Sequence, residues 1–374
     1  MADVTFSVTR TARAATVSAL ALLALTAIAA LSFTPPFGKW TRLSIDPILT
    51  PEGDAFESAG TFNPSVVKKD GKFVMLYRAQ DRRGTSSLGY ATSDDGIHFT
   101  RHPEPVMVSN TPYEKGGGVE DPRLQKIGDT YYLTYTGYNN VDGTAADKRD
   151  AQLCLATSTD LVHWQRRGVI IPSFKGKWNV KWTKSGAIVP EKINGKYWMY
   201  YLADAKEKDT QMGVASSDDL LRWTEVLDHP VLASRPGAFD SQVVEPGPAP
   251  IITPQGIFLI YNGADDKQVY STGWVLFDKT IRRKSWRVRK SRSLRLRQNG
   301  KRWGRFRMSY LLRAWFGTAT AGCFTTAVPT KTSASQRHQC TKHHLAGRLL
   351  RRIPICFFCL MMALQFFVVL FCLS

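Results

Sequence analysis

The feature that most limits what this chain can fold into is a strand-and-turn phrase that occurs four times. A turn, led by glycine in its clearest copies, opens a short aromatic or aliphatic strand: Phe73 to Tyr77, Tyr131 to Tyr135, Tyr197 to Tyr201 and Ile257 to Tyr261. The strands begin 58, 66 and 60 residues apart. After the first three comes a second phrase: Ala91 to Phe99, Ala156 to Trp164 and Ala215 to Trp223, each with Ser, Asp and an aromatic at fixed offsets. A repeat of about sixty residues made of short strands and tight turns is the signature of blades around an axis, a β-propeller. The fold class expected is all-β, with function at the mouth of the central channel.

Each repeat strand carries large apolar residues at successive positions, so both faces are expected to be covered by neighbouring blades. Ser93 and Asp95, Ser158 and Asp160, and Ser217 and Asp219 fall where a strand turns back, and Asx and Ser turns account for them without catalysis. Phe99, Trp164 and Trp223 read as core anchors, and Cys154, between Leu153 and Leu155, as core filler. The other five cysteines follow residue 320, so no disulfide framework or cysteine metal site supports the body.

A net charge of +19 would ordinarily raise nucleic acid or an anionic membrane as partner. The charge is segregated, however. No acidic residue follows Asp278, and Lys279 to Arg352 holds 21 of the 50 Lys and Arg, leaving 29 basic against 31 acidic residues in the body. A tail of that length without one carboxylate suggests a shifted reading frame from about Ile281. Codons compatible with Gly317 to Thr330, read two nucleotides later, spell Asp-Gly-Asn-Arg-Trp-Leu-Phe-Tyr-Tyr-Gly-Gly-Ala-Asp, a fifth repeat strand at the expected period. On this reading residues 281–374 are a basic, then hydrophobic, disordered tail, and the fifth blade is missing or disrupted. The alternative, a genuine tail binding single-stranded nucleic acid through Trp286, Trp303, Phe306 and Trp315, gives way to it, and no nucleic-acid partner is expected. Ile355 to Leu373 is apolar enough to cross a bilayer but reads as an accident of frame.

At the other end, Arg10 and Arg13 precede an uncharged Ala- and Leu-rich run from Ala14 to Phe33. Residues 1–34 read as a signal peptide or N-terminal membrane anchor, so the protein is expected to be exported: periplasmic, secreted or anchored. The propeller domain is expected over 35–280.

Carboxylates and bases outside the repeat cluster in five places. Asn63 precedes Pro64, which argues for an extended or turn conformation. Arg78 and Asp81 leave the first repeat strand. Gly116 to Gly118 delivers Glu120, Asp121 and Arg123 to one spot, and a glycine run answers a need for close approach. Lys184 and Glu191 precede the third repeat strand, and Asp240 and Glu245 precede the fourth. Carboxylates beside arginines and aromatics in an open mouth suit glycosidic bond cleavage, which needs an acid for the leaving oxygen and room opposite for a nucleophile.

Asn63-Pro64, Tyr77-Arg78-Ala79, Glu120-Asp-Pro-Arg123, Pro190 to Gly195 and Pro248 to Gly263 resemble glycoside hydrolase family 130. The resemblance implies a five-bladed propeller acting on β-mannosides by inversion, as hydrolase or phosphorylase. It implies Asp121 as general acid, acting through a sugar hydroxyl, with Asn63, Arg78 and Asp240 as sugar contacts; Asp81, Arg123 and Lys184 join the substrate-binding set. Where phosphorylases of the family often carry a His, this chain has Asn262. Added carboxylate repels phosphate and activates water, so hydrolysis with Glu191 or Glu245 as general base is the main expectation. Arg123 and Lys184 support phosphorolysis as the alternative, and a glycan-binding propeller without catalysis is the second. A manno-oligosaccharide is the expected partner, β-1,2- or β-1,4-linked. No metal or cofactor is expected, with inorganic phosphate as co-substrate if the chain is a phosphorylase.

Overall fold

The computed structural model describes residues 36, 47–141, 149–173, 178–206, 209–279 and 288–294. Nearly all of them are strand or turn, arranged as four antiparallel blades. The first contains β1 (Gly60–Lys69), β2 (Lys72–Gln80), β3 (Ser86–Ser93) and β4 (Thr100–Arg101). A 3-10 turn, Pro112–Glu114, leads into the second: β5 (Gly116–Ile127), β6 (Thr130–Asn139), β7 (Asp150–Ser158) and β8 (Gln165–Ile171). The third contains β9 (Thr183–Ile188), β10 (Tyr197–Lys206), β11 (Asp209–Ser217) and β12 (Thr224–Glu225). In the fourth, β13 (Val243–Pro246) and β14 (Ile251–Thr253) both pair with β15 (Gly256–Ala264), followed by β16 (Tyr270–Phe277) and β17 (Val288–Leu294). The fold is a β-propeller, as the repeat requires.

Two of the three blade junctions carry a backbone pair near the start of the inner strand, whereas the second and third blades belong to separate sheets. A single parallel pair, Ser86 with Gly118, joins β3 to β5, and the pair Thr210 with Val243 joins β11 to β13. The first junction explains one of the three consecutive glycines. Gly118 has φ +95°, and a Cβ there would lie 2.0 Å from the Ser86 carbonyl oxygen, so no side chain fits.

The core lies between blades, because each repeat strand alternates its side chains between two neighbours. Leu76 and Leu88 of the first blade meet Val119, Leu133 and Tyr135 of the second. Leu153 and Leu155 of the second meet Met199 and Tyr201 of the third. Tyr200 and Val214 of the third meet Leu259, Tyr261 and Val275 of the fourth. Cys154 is fully buried, and burial pushes its thiol up, as befits a packing residue.

The second phrase builds the expected turns. Ser93 Oγ accepts the amides of Asp95 and Gly96, while Asp95 Oδ1 accepts those of Ile97 and His98. The same bonds recur around Ser158 and Asp160 and around Ser217 and Asp219.

One expectation differs from the structure. No strand was anticipated beyond Ile281, yet β17 pairs antiparallel with β16, from Leu276 opposite Lys290 to Thr272 opposite Leu294. Backbone groups alone make such a ladder, and the open edge of β16 accepts a segment whatever its side chains. Gly317 to Thr330, the place of a fifth blade, lies outside the described residues, as do Ala14 to Phe33 and Ile355 to Leu373. Among the described residues no helix is long and apolar enough to cross a membrane.

Candidate active site

Three inner strands break their ladder at the same step. In β1, Asn63 and Pro64 oppose the single residue Tyr77; in β5, Asp121 and Pro122 oppose Tyr135; in β9, Ser185 and Gly186 oppose Tyr201. These are β-bulges, which bend a strand and re-aim the bulged side chain. The first residue of each is left-handed, with φ 45° at Asn63, 53° at Asp121 and 62° at Ser185. Asn and Asp tolerate this region better than most residues. Such backbone costs roughly 1–3 kcal/mol per residue and persists where surrounding structure imposes it. Pro64 and Pro122 follow, and a following proline favours extended backbone, but the bulge holds Asn63 left-handed instead.

The bulges bring the central groups together. Asn63 Nδ2 donates to Asp121 Oδ1 across the junction of the first two blades. Arg78 enters from β2, its guanidinium 2.6 Å from Glu120 Oε1 and 3.8 Å from Asp121 Oδ1. Ser86 Oγ accepts from Arg78 Nε at 2.9 Å and lies 3.1 Å from Glu120 Oε1. Burial pushes the Glu120 carboxyl up, and the neighbouring Asp121 charge adds to this; Arg78, Lys184 and Ser86 oppose it. The two adjacent carboxyls disfavour each other's ionisation, and the shared arginine offsets part of that repulsion.

Arg123 shows why sequence proximity misleads. Arg123, two residues from Asp121, is buried and reaches another blade. Its Nε donates to the Gly247 carbonyl at 2.8 Å, and Nη2 donates to the Pro246 carbonyl and to Glu245 Oε1, the latter at 3.3 Å. Ser185 Oγ donates to the same Glu245 oxygen. Glu245 therefore joins the inner ring with its carboxylate already engaged. Lys184, beside the β9 bulge, holds its ammonium 5.1 Å from the Trp182 ring centroid and forms no ion pair among the described residues.

Asn63, Asp121, Arg123, Lys184 and Glu245 lie on the inner strands β1, β5, β9 and β13, and Arg78 reaches them from β2. Three expectations need correction. Glu191 is exposed in the turn from β9 to β10, six residues beyond Ser185. An extended strand rises about 3.3 Å per residue, which puts Glu191 roughly 20 Å from the bulge, at the wrong end for a catalytic base. Asp81 caps the hairpin between β2 and β3, its Oδ1 accepting the amides of Arg83 and Thr85, both at 2.9 Å. Asp265 makes the same turn in the fourth blade. Asp240 is fully buried, bound by Arg235 Nη2 and the Tyr261 hydroxyl, both at 2.8 Å, and is not placed to meet a sugar.

Sequence reasoning gave Glu120 no role and missed Ser185. Ser185 lies opposite the terminal tyrosine of its repeat, where the bulge occurs, and Glu120 stands one step before the equivalent bulge. Among the described residues no cluster of three or more His, Cys, Asp or Glu is arranged to hold a metal.

Comparison with known proteins identifies the family. A family model for glycoside hydrolase family 130, described as beta-1,4-mannooligosaccharide phosphorylase, matches residues 46–293. A 1,2-beta-oligomannan phosphorylase from Thermoanaerobacter sp. (strain X514) is 39% identical over 249 residues, covering 64% of this chain and 77% of that protein. A structure from work on GH130 glycoside hydrolases that target β-1,2 mannosidic linkages in Candida mannan has a TM-score of 0.56 and 35% identity, covering 64% of this chain and 76% of that one. A glycosyl hydrolase from Bacteroides ovatus has a TM-score of 0.54 and 34% identity, covering 62% and 70%.

Proposed function

The chain belongs to glycoside hydrolase family 130, and from that premise we propose that it phosphorolyses β-1,2-linked manno-oligosaccharides with inversion. The family is one of enzymes that act on glycosides, and the similarity to a 1,2-beta-oligomannan phosphorylase supports the linkage. Lys184 carries the choice of phosphate over water. An ammonium that forms no ion pair among the described residues, beside arginines that do, is suited to hold an oxyanion.

In the proposed reaction Asn63 and Arg78 orient the terminal mannose and Asp121 supplies the proton, relayed through a sugar hydroxyl to the bridging oxygen. A phosphate oxygen held by Lys184 attacks the anomeric carbon from the opposite face. The carbon–oxygen bond to the leaving sugar breaks, giving α-mannose 1-phosphate and an oligosaccharide shorter by one unit. Asp121 ends deprotonated and regains its proton from solvent. The apolar run after Arg13 supports encounter with substrate outside the cytoplasm.

A second reading, hydrolysis, rests on one specific observation: Glu245 stands on the inner ring at the step equivalent to Glu120, where it could activate water once Ser185 lets go of it. The similarity to a structure from work on GH130 hydrolases favours it too. Incubation with β-1,2-mannobiose with and without phosphate separates the two. Mannose 1-phosphate formed only with phosphate supports phosphorolysis. Free mannose at an unchanged rate without phosphate overturns it in favour of hydrolysis.

A further inference from the structure

The terminal tyrosine of every repeat strand is fully buried, and every one donates its hydroxyl to a carboxylate. Tyr77 donates to Glu57 at 2.8 Å, Tyr135 to Glu114 at 2.9 Å, Tyr201 to Glu225, and Tyr261 to Asp240 at 2.8 Å. Burial, chiefly, pushes all four phenols up, and the partner carboxylate adds to it in each, so they remain donors.

A third group completes each clamp. Arg101 pairs with Glu57 at 2.7 Å, Arg166 with Glu114 at 3.0 Å and Arg235 with Asp240 at 2.8 Å, while Asn179 donates to Glu225 at 2.8 Å. In the first two blades the carboxylate precedes the inner strand and the arginine lies in the fourth strand. The third blade reverses this, with Asn179 before the inner strand and Glu225 in β12. In the fourth, both Arg235 and Asp240 precede β13, and Ser291 occupies the register position opposite Val275 that Arg101, Arg166 and Glu225 hold in their blades.

In three blades the clamped tyrosine is the very residue that faces the bulge. A bulge can migrate along a strand unless its opposing residue is fixed, and migration by one step would turn the bulged side chain to the other face. We propose that Tyr135 is a positioning residue for Asp121: its bond to Glu114 pins β6 opposite Asp121 and Pro122 and so holds Asp121 toward the channel axis. Glu114 suits the task. It is fully buried, and besides Tyr135 it receives Arg166 and the Asn110 amide, the latter at 2.8 Å, so it cannot follow a shift of β6.

The inference rests on the reading of Asp121 as general acid, and a local readout keeps the two apart. Backbone amide exchange is compared in the full chain, Tyr135→Phe, Tyr201→Phe and Glu114→Gln. Pinning predicts that Tyr135→Phe and Glu114→Gln speed exchange by about tenfold or more across residues 118–124, with little change across 183–188. Tyr201→Phe should do the reverse. Uniform loss of protection over both sheets, or no local change, overturns the proposal. On β-1,2-mannobiose, Tyr135→Phe should lower kcat by about tenfold at unchanged KM, and Tyr201→Phe much less. A wild-type chain inactive on every mannoside would refute the function while the exchange pattern still judged the clamp.

Discussion

Asn63 and Asp121 lie 58 residues apart, occupy the same left-handed step of neighbouring inner strands, and are joined by a hydrogen bond across the blade junction. The separation equals the first interval of the repeat, so the two are equivalent positions of successive blades. The site is therefore a ring of repeat-equivalent bulges whose side chains have diverged.

That divergence makes Asp121 the group to remove. Asp121→Asn keeps the side-chain shape and loses the proton, so kcat on β-1,2-mannobiose should fall by about 10²–10⁴-fold with the thermal midpoint little changed. Steady-state kinetics and a melting curve check both halves.

Glu191 provides the opposite expectation. Exposed at the far turn, it should tolerate Glu191→Gln with kcat and KM within about twofold of the parent chain. A loss of activity as large as that of Asp121→Asn would restore it to the site.

Lys184→Ala tests the phosphate reading directly. Removing this cation, which forms no ion pair among the described residues, should raise the KM for phosphate by about tenfold or more and leave the KM for mannoside within a few-fold. Initial rates at varied phosphate read this out. Glu245→Gln, in contrast, should abolish turnover only if water is the nucleophile.

The turn aspartates contribute to stability against acid. Amides of Arg222 and Leu221, chiefly, hold the Asp219 carboxyl down at about 2, and bonds from the following turn likewise hold Asp95 and Asp160 low. A depressed carboxyl contributes stability above its unfolded value of 3.8, and that contribution disappears as the pH falls toward 2. Asp219→Ala should lower the thermal midpoint at neutral pH and reduce the further drop between pH 4 and pH 2. Melting curves across that window show the convergence.

Gly118→Ala should be severely destabilising, by at least about 3 kcal/mol, because both the positive φ and the Ser86 carbonyl exclude a Cβ. Denaturant unfolding measures it. The neighbouring exposed turn at Gly128, also at positive φ but with open space around its Cβ, should cost clearly less.

Much of the fold was legible because a propeller repeats its chemistry along the chain. The strand phrase located β2, β6, β10 and β15, and the Ser and Asp phrase gave its turns. The site was less legible, because a carboxylate that caps or clamps has the same composition as one that reacts. Asp240 looked unique, yet it precedes Tyr261 by 21 residues, as Glu114 precedes Tyr135 by 21 and Glu57 precedes Tyr77 by 20. Asp81 likewise stands four residues after Tyr77, as Asp265 does after Tyr261. A search for carboxylates at constant offset would have moved both to the framework. Glu245 and Arg123 could not be paired that way, since their contact spans 122 residues and depends on how blades meet.

The tyrosine clamps also bear on how the molecule is built. Every group in them comes from one blade and the loop that enters it, so no clamp waits for a later blade to be synthesised. Each can close as soon as its own stretch of chain has left the ribosome, fixing strand alignment before the neighbouring sheet arrives to cover it. Assembly then reduces to laying finished leaves side by side, and an error in one leaf stays in that leaf.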